Sequence, residues 1–253
     1  MPSISLAARR RAAILTGLGG VTLLSWLYLL QMDRAMRAAM AAGLACELHP
    51  WSGADFALTF LMWAVMMVGM MVPSAAPMSL LFAAVAPRAR EQGSPSAPTA
   101  IFVAGYVAVW TLFSVAATAA QWGLERAALL SPMLSSTSRW FGAALLIGAG
   151  LYQWTPWKNA CLEHCRAPAL FFAAQWRDGA LGAFRMGAAH GLYCLGCCWV
   201  LMALLFFGGV MNLLWVAGLA LFVLLEKLAP WGASAGRVAG LALLVAGVRQ
   251  LVG

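Results

Sequence analysis

Apolar runs long enough to cross a lipid bilayer recur along this chain, and they leave little room for any fold but a bundle of membrane-spanning helices. The runs extend over Ala12 to Leu30, Phe56 to Ala76, Ile101 to Trp122, Trp140 to Trp154, Gly187 to Phe207, Leu213 to Ala229 and Ala235 to Val252. The fourth and the last are short for a hydrocarbon core of about 30 Å, which asks for about 20 helical residues. The expected fold class is therefore an all-α polytopic transmembrane helical bundle of about seven spans, or six. Residues 1–55 would form a first span and an external segment, and residues 56–253 a six-helix membrane domain. Charged residues make up only 9% of the chain against 63% hydrophobic, which excludes ordinary soluble-domain usage.

The net charge of +8 would point to nucleic acid in a soluble protein, but here it must be read by position, and no nucleic-acid partner is expected. With the N-terminus cytoplasmic, eleven arginines and lysines fall in inner segments, among them Lys158, Arg166 and Lys227, and five fall outside. That bias supports this orientation in a bacterial inner (plasma) membrane. Arg9-Arg10-Arg11 before the first run resembles a signal peptide, but the run is long for one and reads as an uncleaved span. Gly43-Leu44-Ala45-Cys46 is too far beyond that run to serve as a lipoprotein box.

Chemistry concentrates in His190-Gly191-Leu192-Tyr193-Cys194-Leu195-Gly196-Cys197-Cys198-Trp199. On a helix, His190, Cys194 and Cys197 fall at i, i+4 and i+7, with Cys198 one step round, so one face carries an imidazole and two or three sulfurs. Thiolate with imidazole suits Cu(I), Zn or Fe, and an ionisable group at membrane depth usually has a task. The plainer reading is that each packs as a core residue. Five of the six cysteines lie between Cys161 and Cys198, which favours metal or redox chemistry over structural bridges. Cys161, His164 and Cys165 would share the face of an amphipathic connection near the cytoplasmic surface, forming a second cluster.

The second run is rich in methionine. Met62, Met66 and Met70 are spaced by four, Met67 and Met71 run parallel to them, and Met32, Met36 and Met40 repeat the spacing before Cys46 and His49. Methionine is also a gap-filling core residue, yet two such stripes point to thioether ligands for a soft ion. With Arg185 at the inner interface, His190 would lie about 8 Å deep, and Cys194 to Cys198 at about 13 to 20 Å. From the outer interface at Asp55, Met62, Met66 and Met70 would lie at about 10, 16 and 22 Å. The two sets overlap near the midplane, giving a graded ladder of soft ligands from outside to inside.

Met66-Met67-Val68-Gly69-Met70-Met71-Val72-Pro73-Ser74, Tyr152 to Lys158 with Cys161 and Cys165-Arg166-Ala167-Pro168, His190 to Trp199, and Gly208 to Asn212 with Glu226-Lys227 together resemble a bacterial family. It is that of predicted metal-binding integral membrane proteins, domain of unknown function 2182. The resemblance covers roughly Phe56 to Val252 and implies metal binding by the His and Cys positions, with no established metal or reaction. The methionine spacing is also similar to the Met-x-x-x-Met of eukaryotic-type copper transporters, a fold of three-helix subunits.

The expected function is binding of a soft transition metal, Cu(I) first, with Zn or Fe as alternatives, in transport, delivery or homeostasis. Expected partners are the lipid bilayer, the ion, and a metallochaperone or metalloenzyme client. No phosphate-binding loop is present, so energy coupling to nucleotide is not expected, and no catalytic residue is singled out. The rival reading is a membrane thiol-disulfide oxidoreductase cycling Cys194 and Cys197.

Overall fold

A computed structural model describes residues 2–42, 51–91, 97–131 and 134–252. Cys46 and His49, the external ligands of the expected ladder, lie outside the described residues. The described chain is helical, with one isolated bridge between Leu130 and Ser136. The helices are α1 (Pro2–Ala41), α2 (Gly53–Met71), α3 (Ala76–Glu91), α4 (Thr99–Arg126), α5 (Arg139–Tyr152), α6 (Pro156–Arg166), α7 (Pro168–Gln175), α8 (Gly179–Ala203), α9 (Leu205–Gly208), α10 (Leu213–Leu228) and α11 (Gly232–Val252).

Their starts are written locally. Ser52 and Asp55 form a reciprocal capping box at α2, and Ser138, Thr155 and Asn212 accept from the first-turn amides of α5, α6 and α10. Pro73 cannot donate to the preceding turn, so α2 ends in a 3-10 turn at Pro73–Ala75 before α3 resumes.

Among the described residues, five helical segments are long and apolar enough to cross a membrane, which supports a membrane protein: Ala8–Ala41, Gly53–Met71, Thr99–Arg126, Gly179–Gly208 and Gly232–Val252. The expected seven are not met, because Trp140 to Trp154 folds as the 14-residue α5 and Leu213 to Ala229 as the 16-residue α10. The surface accords with a lipid solvent: Leu214 is 87% exposed while Glu226 on the same helix is 1% exposed.

Close helix contacts are made by glycine. α4 packs on α8 where a side chain at Gly105 would strike the Phe184 carbonyl and one at Gly187 the Phe102 carbonyl, and Gly191 continues the seam against Val109. Gly187 and Gly191 thus form the small-residue spacing that lets two helices approach in an apolar solvent. α5 packs on α11 in the same manner through Gly150, Gly240 and Gly247.

Two paths through the bundle are interrupted. α2, the 3-10 turn and α3 run along α4, from the Trp63–Gln121 hydrogen bond past Tyr106 to the Phe82–Phe102 stack. α5, α6 and α7 run along α8, from Gly142 beside Phe207, through Tyr152 donating to the Gly196 carbonyl, to Phe171 beside His190. Non-helical backbone at such a depth is tolerated only where protein groups satisfy it. At the first break the freed Met71 carbonyl accepts from Ser74 Oγ at 2.8 Å and Tyr106 Oη at 3.0 Å. At the second, Gln153 and Thr155 flank the turn, and Lys158 is drawn inward.

Candidate metal centre

Beside these two breaks, α8 presents its cysteines. Cys194, Cys197 and Cys198 are fully buried, free thiols, and Cys197 and Cys198 donate back to the Cys194 carbonyl at 3.1 and 2.9 Å. Cys194 Sγ points to α4 and α10: Tyr106 Oη lies 3.0 Å away and Lys227 Nζ 2.8 Å. Lys227 also donates to Ser74 Oγ at 3.2 Å, and so ties the first break to the sulfur.

Cys161 and Cys165 reach the same region from α6. A side chain added at Gly196 would lie 2.7 Å from Cys161 Sγ, and the Cys165 thiol lies beside Cys197. Cys161 and Cys165 therefore do not form a cluster separate from the α8 cysteines, because α6 is packed against α8. The physical cause is the buried ion pair of Lys158 on α6 and Glu226 on α10, 2.6 Å apart and each 1% exposed, which draws α6 inward. Lys158 Nζ also donates to Gln153 Oε1, and Arg166 donates to the carbonyls of Glu226 and Pro230 at 2.7 and 3.1 Å. Lys158 and Lys227, counted from the sequence among inner solvated charges, are both buried; without them the inner excess is nine against five.

His164 does not share the inward face of Cys161 and Cys165. It is exposed, its Nδ1 pairs with the Ala160 carbonyl at 2.8 Å, and its ring stacks on Tyr193 at 4.2 Å. His190 is buried between rings, 5.3 Å from Tyr106 and 6.0 Å from Phe171, and its Nδ1 has no hydrogen-bond partner among the described residues. Met62, Met66 and Met70 are buried, together with Met67 and Met71, in the apolar cluster that also contains Cys194, Cys197 and Cys198. α2 packs chiefly on α1 and α4, so the path from this stripe to Cys194 passes Tyr106 and Ser74. Among the described residues no three His, Cys, Asp or Glu side chains form a group that could hold a metal ion.

Sequence reasoning missed Tyr106, Ser74, Gln153, Glu226, Lys158 and Lys227 as parts of the centre. The signal that could have found the last three was present: two lysines and a glutamate beside or within apolar runs, where ionisable groups are costly.

The thiols, fully buried on α8 and half-buried on α6, suit a soft ion and offer a hard one little. No curated protein and no solved structure matches the chain. Residues 60–250 match the family model PpoB2, described as copper chaperone; the metal-related character expected from the motifs is supported, under a name other than domain of unknown function 2182. The chain therefore belongs to the PpoB2 copper chaperone family.

Proposed function

We propose that this protein binds Cu(I) within the membrane and passes it on, with Cys165 and Cys197 as the central ligand pair. The observation that carries this reading is that α6, with Cys161 and Cys165, packs on the cysteine-bearing part of α8 in a chain from a copper chaperone family. Cu(I) is the ion whose preference for soft sulfur, and tolerance of two ligands, accords best with free thiols that meet in pairs.

Cys161 on α6 and Cys194 and Cys198 on α8 would take over as ligands when the ion moves, so that a carrier holds tightly and still releases. Met62, Met66 and Met70 would serve as thioethers on the outer approach, and His190 and His164 as imidazoles on the inner one, where the orphaned Nδ1 of His190 is free to bond. We place the protein in a bacterial inner membrane with a cytoplasmic N-terminus, where a metallochaperone or metalloenzyme client would exchange copper with it. The oxidoreductase alternative has less support, because the family is a copper one and Cys194 faces Lys227 and Tyr106 rather than Cys197.

The test is copper content of monodisperse, anaerobically loaded protein. Wild type should retain Cu(I) near stoichiometry, while Cys165→Ser and Cys197→Ser should each lose most of it. Full occupancy in both variants would overturn the assignment.

A further inference from the structure

Among the described residues, three buried side chains carry formal charge at neutral pH: Lys158, Glu226 and Lys227. Two of them cancel, since Glu226 turns to Lys158 at 2.6 Å. Lys227 is left without a carboxylate. Its Nζ donates to Cys194 Sγ at 2.8 Å and Ser74 Oγ at 3.2 Å. Arg166, the next cation, is occupied by the Glu226 and Pro230 carbonyls. The counter-charge for Lys227 must therefore come from the sulfur it faces, because a buried cation without a counter-anion is costly.

We propose that Lys227 fixes the charge of the cargo: it balances a soft monovalent cation held by two thiolates and disfavours a divalent cation on the same two sulfurs. A monovalent ion with two thiolates carries one negative charge, which the ammonium brings to zero. A divalent ion with two thiolates is neutral, and the ammonium then stays uncompensated. A third thiolate would rescue the divalent complex, but no group of three or more such ligands is preassembled among the described residues. Lys227 is thus a specificity-determining residue that need not touch the metal. Its place is set by the fold: it follows Glu226 on α10, so the residue that neutralises Lys158 also aims the next side chain at Cys194.

This inference rests on the copper-binding reading, and the experiment separates the two. Affinities for Cu(I), Ag(I), Zn(II) and Cd(II) are measured by chelator competition on wild type, Lys227→Met, Lys227→Gln and Lys227→Arg. The two neutral variants should lose at least about tenfold in preference for the monovalent pair over the divalent pair, roughly 1.4 kcal/mol. Lys227→Arg should restore it. Unchanged preference in a monodisperse neutral variant that still binds Cu(I) overturns the inference and leaves the copper reading standing. Absence of Cu(I) binding in wild type overturns the copper reading instead. X-ray absorption on wild-type protein gives a check that needs no variant: Cu(I) between two thiolates is expected, and three equivalent thiolates would set two negative charges against one ammonium and overturn the inference.

Discussion

Breaking the Lys158–Glu226 pair should cost far more when one partner is removed than when both are. At 2.6 Å, with an effective dielectric constant of about 20, the gross Coulomb attraction is about 6 kcal/mol. Much of that offsets the desolvation of two groups that are each 1% exposed. Lys158→Met leaves the Glu226 carboxylate buried and unpaired, and Glu226→Leu leaves the ammonium with only Gln153 Oε1; each should lose about 3–5 kcal/mol. The double variant retains an orphaned Gln153 oxygen, a penalty of about 1–3 kcal/mol. The coupling energy from the cycle should therefore be at least about 3 kcal/mol. Reversible unfolding in mixed micelles, followed by tryptophan fluorescence, measures it. Because Lys158 holds α6, each single variant should also slow mild oxidative cross-linking of Cys165 to Cys197. Single effects that add within about 0.5 kcal/mol would refute the account of why α6 lies inward.

Two further outcomes follow from the geometry. Gly187→Ala should cost about 1–3 kcal/mol, because its methyl would overlap the Phe102 carbonyl and force α4 from α8, whereas Gly148→Ala, with open space around it, should be neutral or stabilising in the same titration; equal effects would refute the seam. Replacing Met66 and Met70 together by leucine should lower retained copper with little loss of stability, since the swap nearly conserves volume; unchanged copper content would remove the methionine stripe from the proposal.

Helices were legible wherever one apolar run could be read without reference to its neighbours. α1, α2, α4, α8 and α11 correspond to runs visible in the sequence, and Pro73 announces the end of α2. α5 and α10 were legible as apolar but not as short. Their ends are set by polar residues that find partners inside the bundle, Gln153 with Lys158 and Glu226 with Lys158, and those pairings span 5 and 68 residues of chain. Counting Lys158 and Lys227 as solvated loop charges was the natural reading of two lysines near the ends of apolar runs. It failed because an ion pair and a thiol replace water as their surroundings.

The same long-range pairing explains why the cysteine spacing was readable and the centre was not. Helical periodicity places Cys194, Cys197 and Cys198 close together on α8, and the structure adds what periodicity lacks: which neighbour each one meets. Cys194 meets α10 and α4, while Cys197 meets α6, so two thiols three residues apart on one helix face different partners. Both arrangements depend on Glu226-Lys227, consecutive residues whose side chains serve the two breaks in the bundle, one through Lys158 at the α5–α6 turn and the other through Ser74 at the α2–α3 turn. A shift of α10 along its axis would move both contacts at once. Because Glu226 and Lys227 are adjacent on one rigid helix, the contact to Lys158 and the contact to Cys194 are placed together.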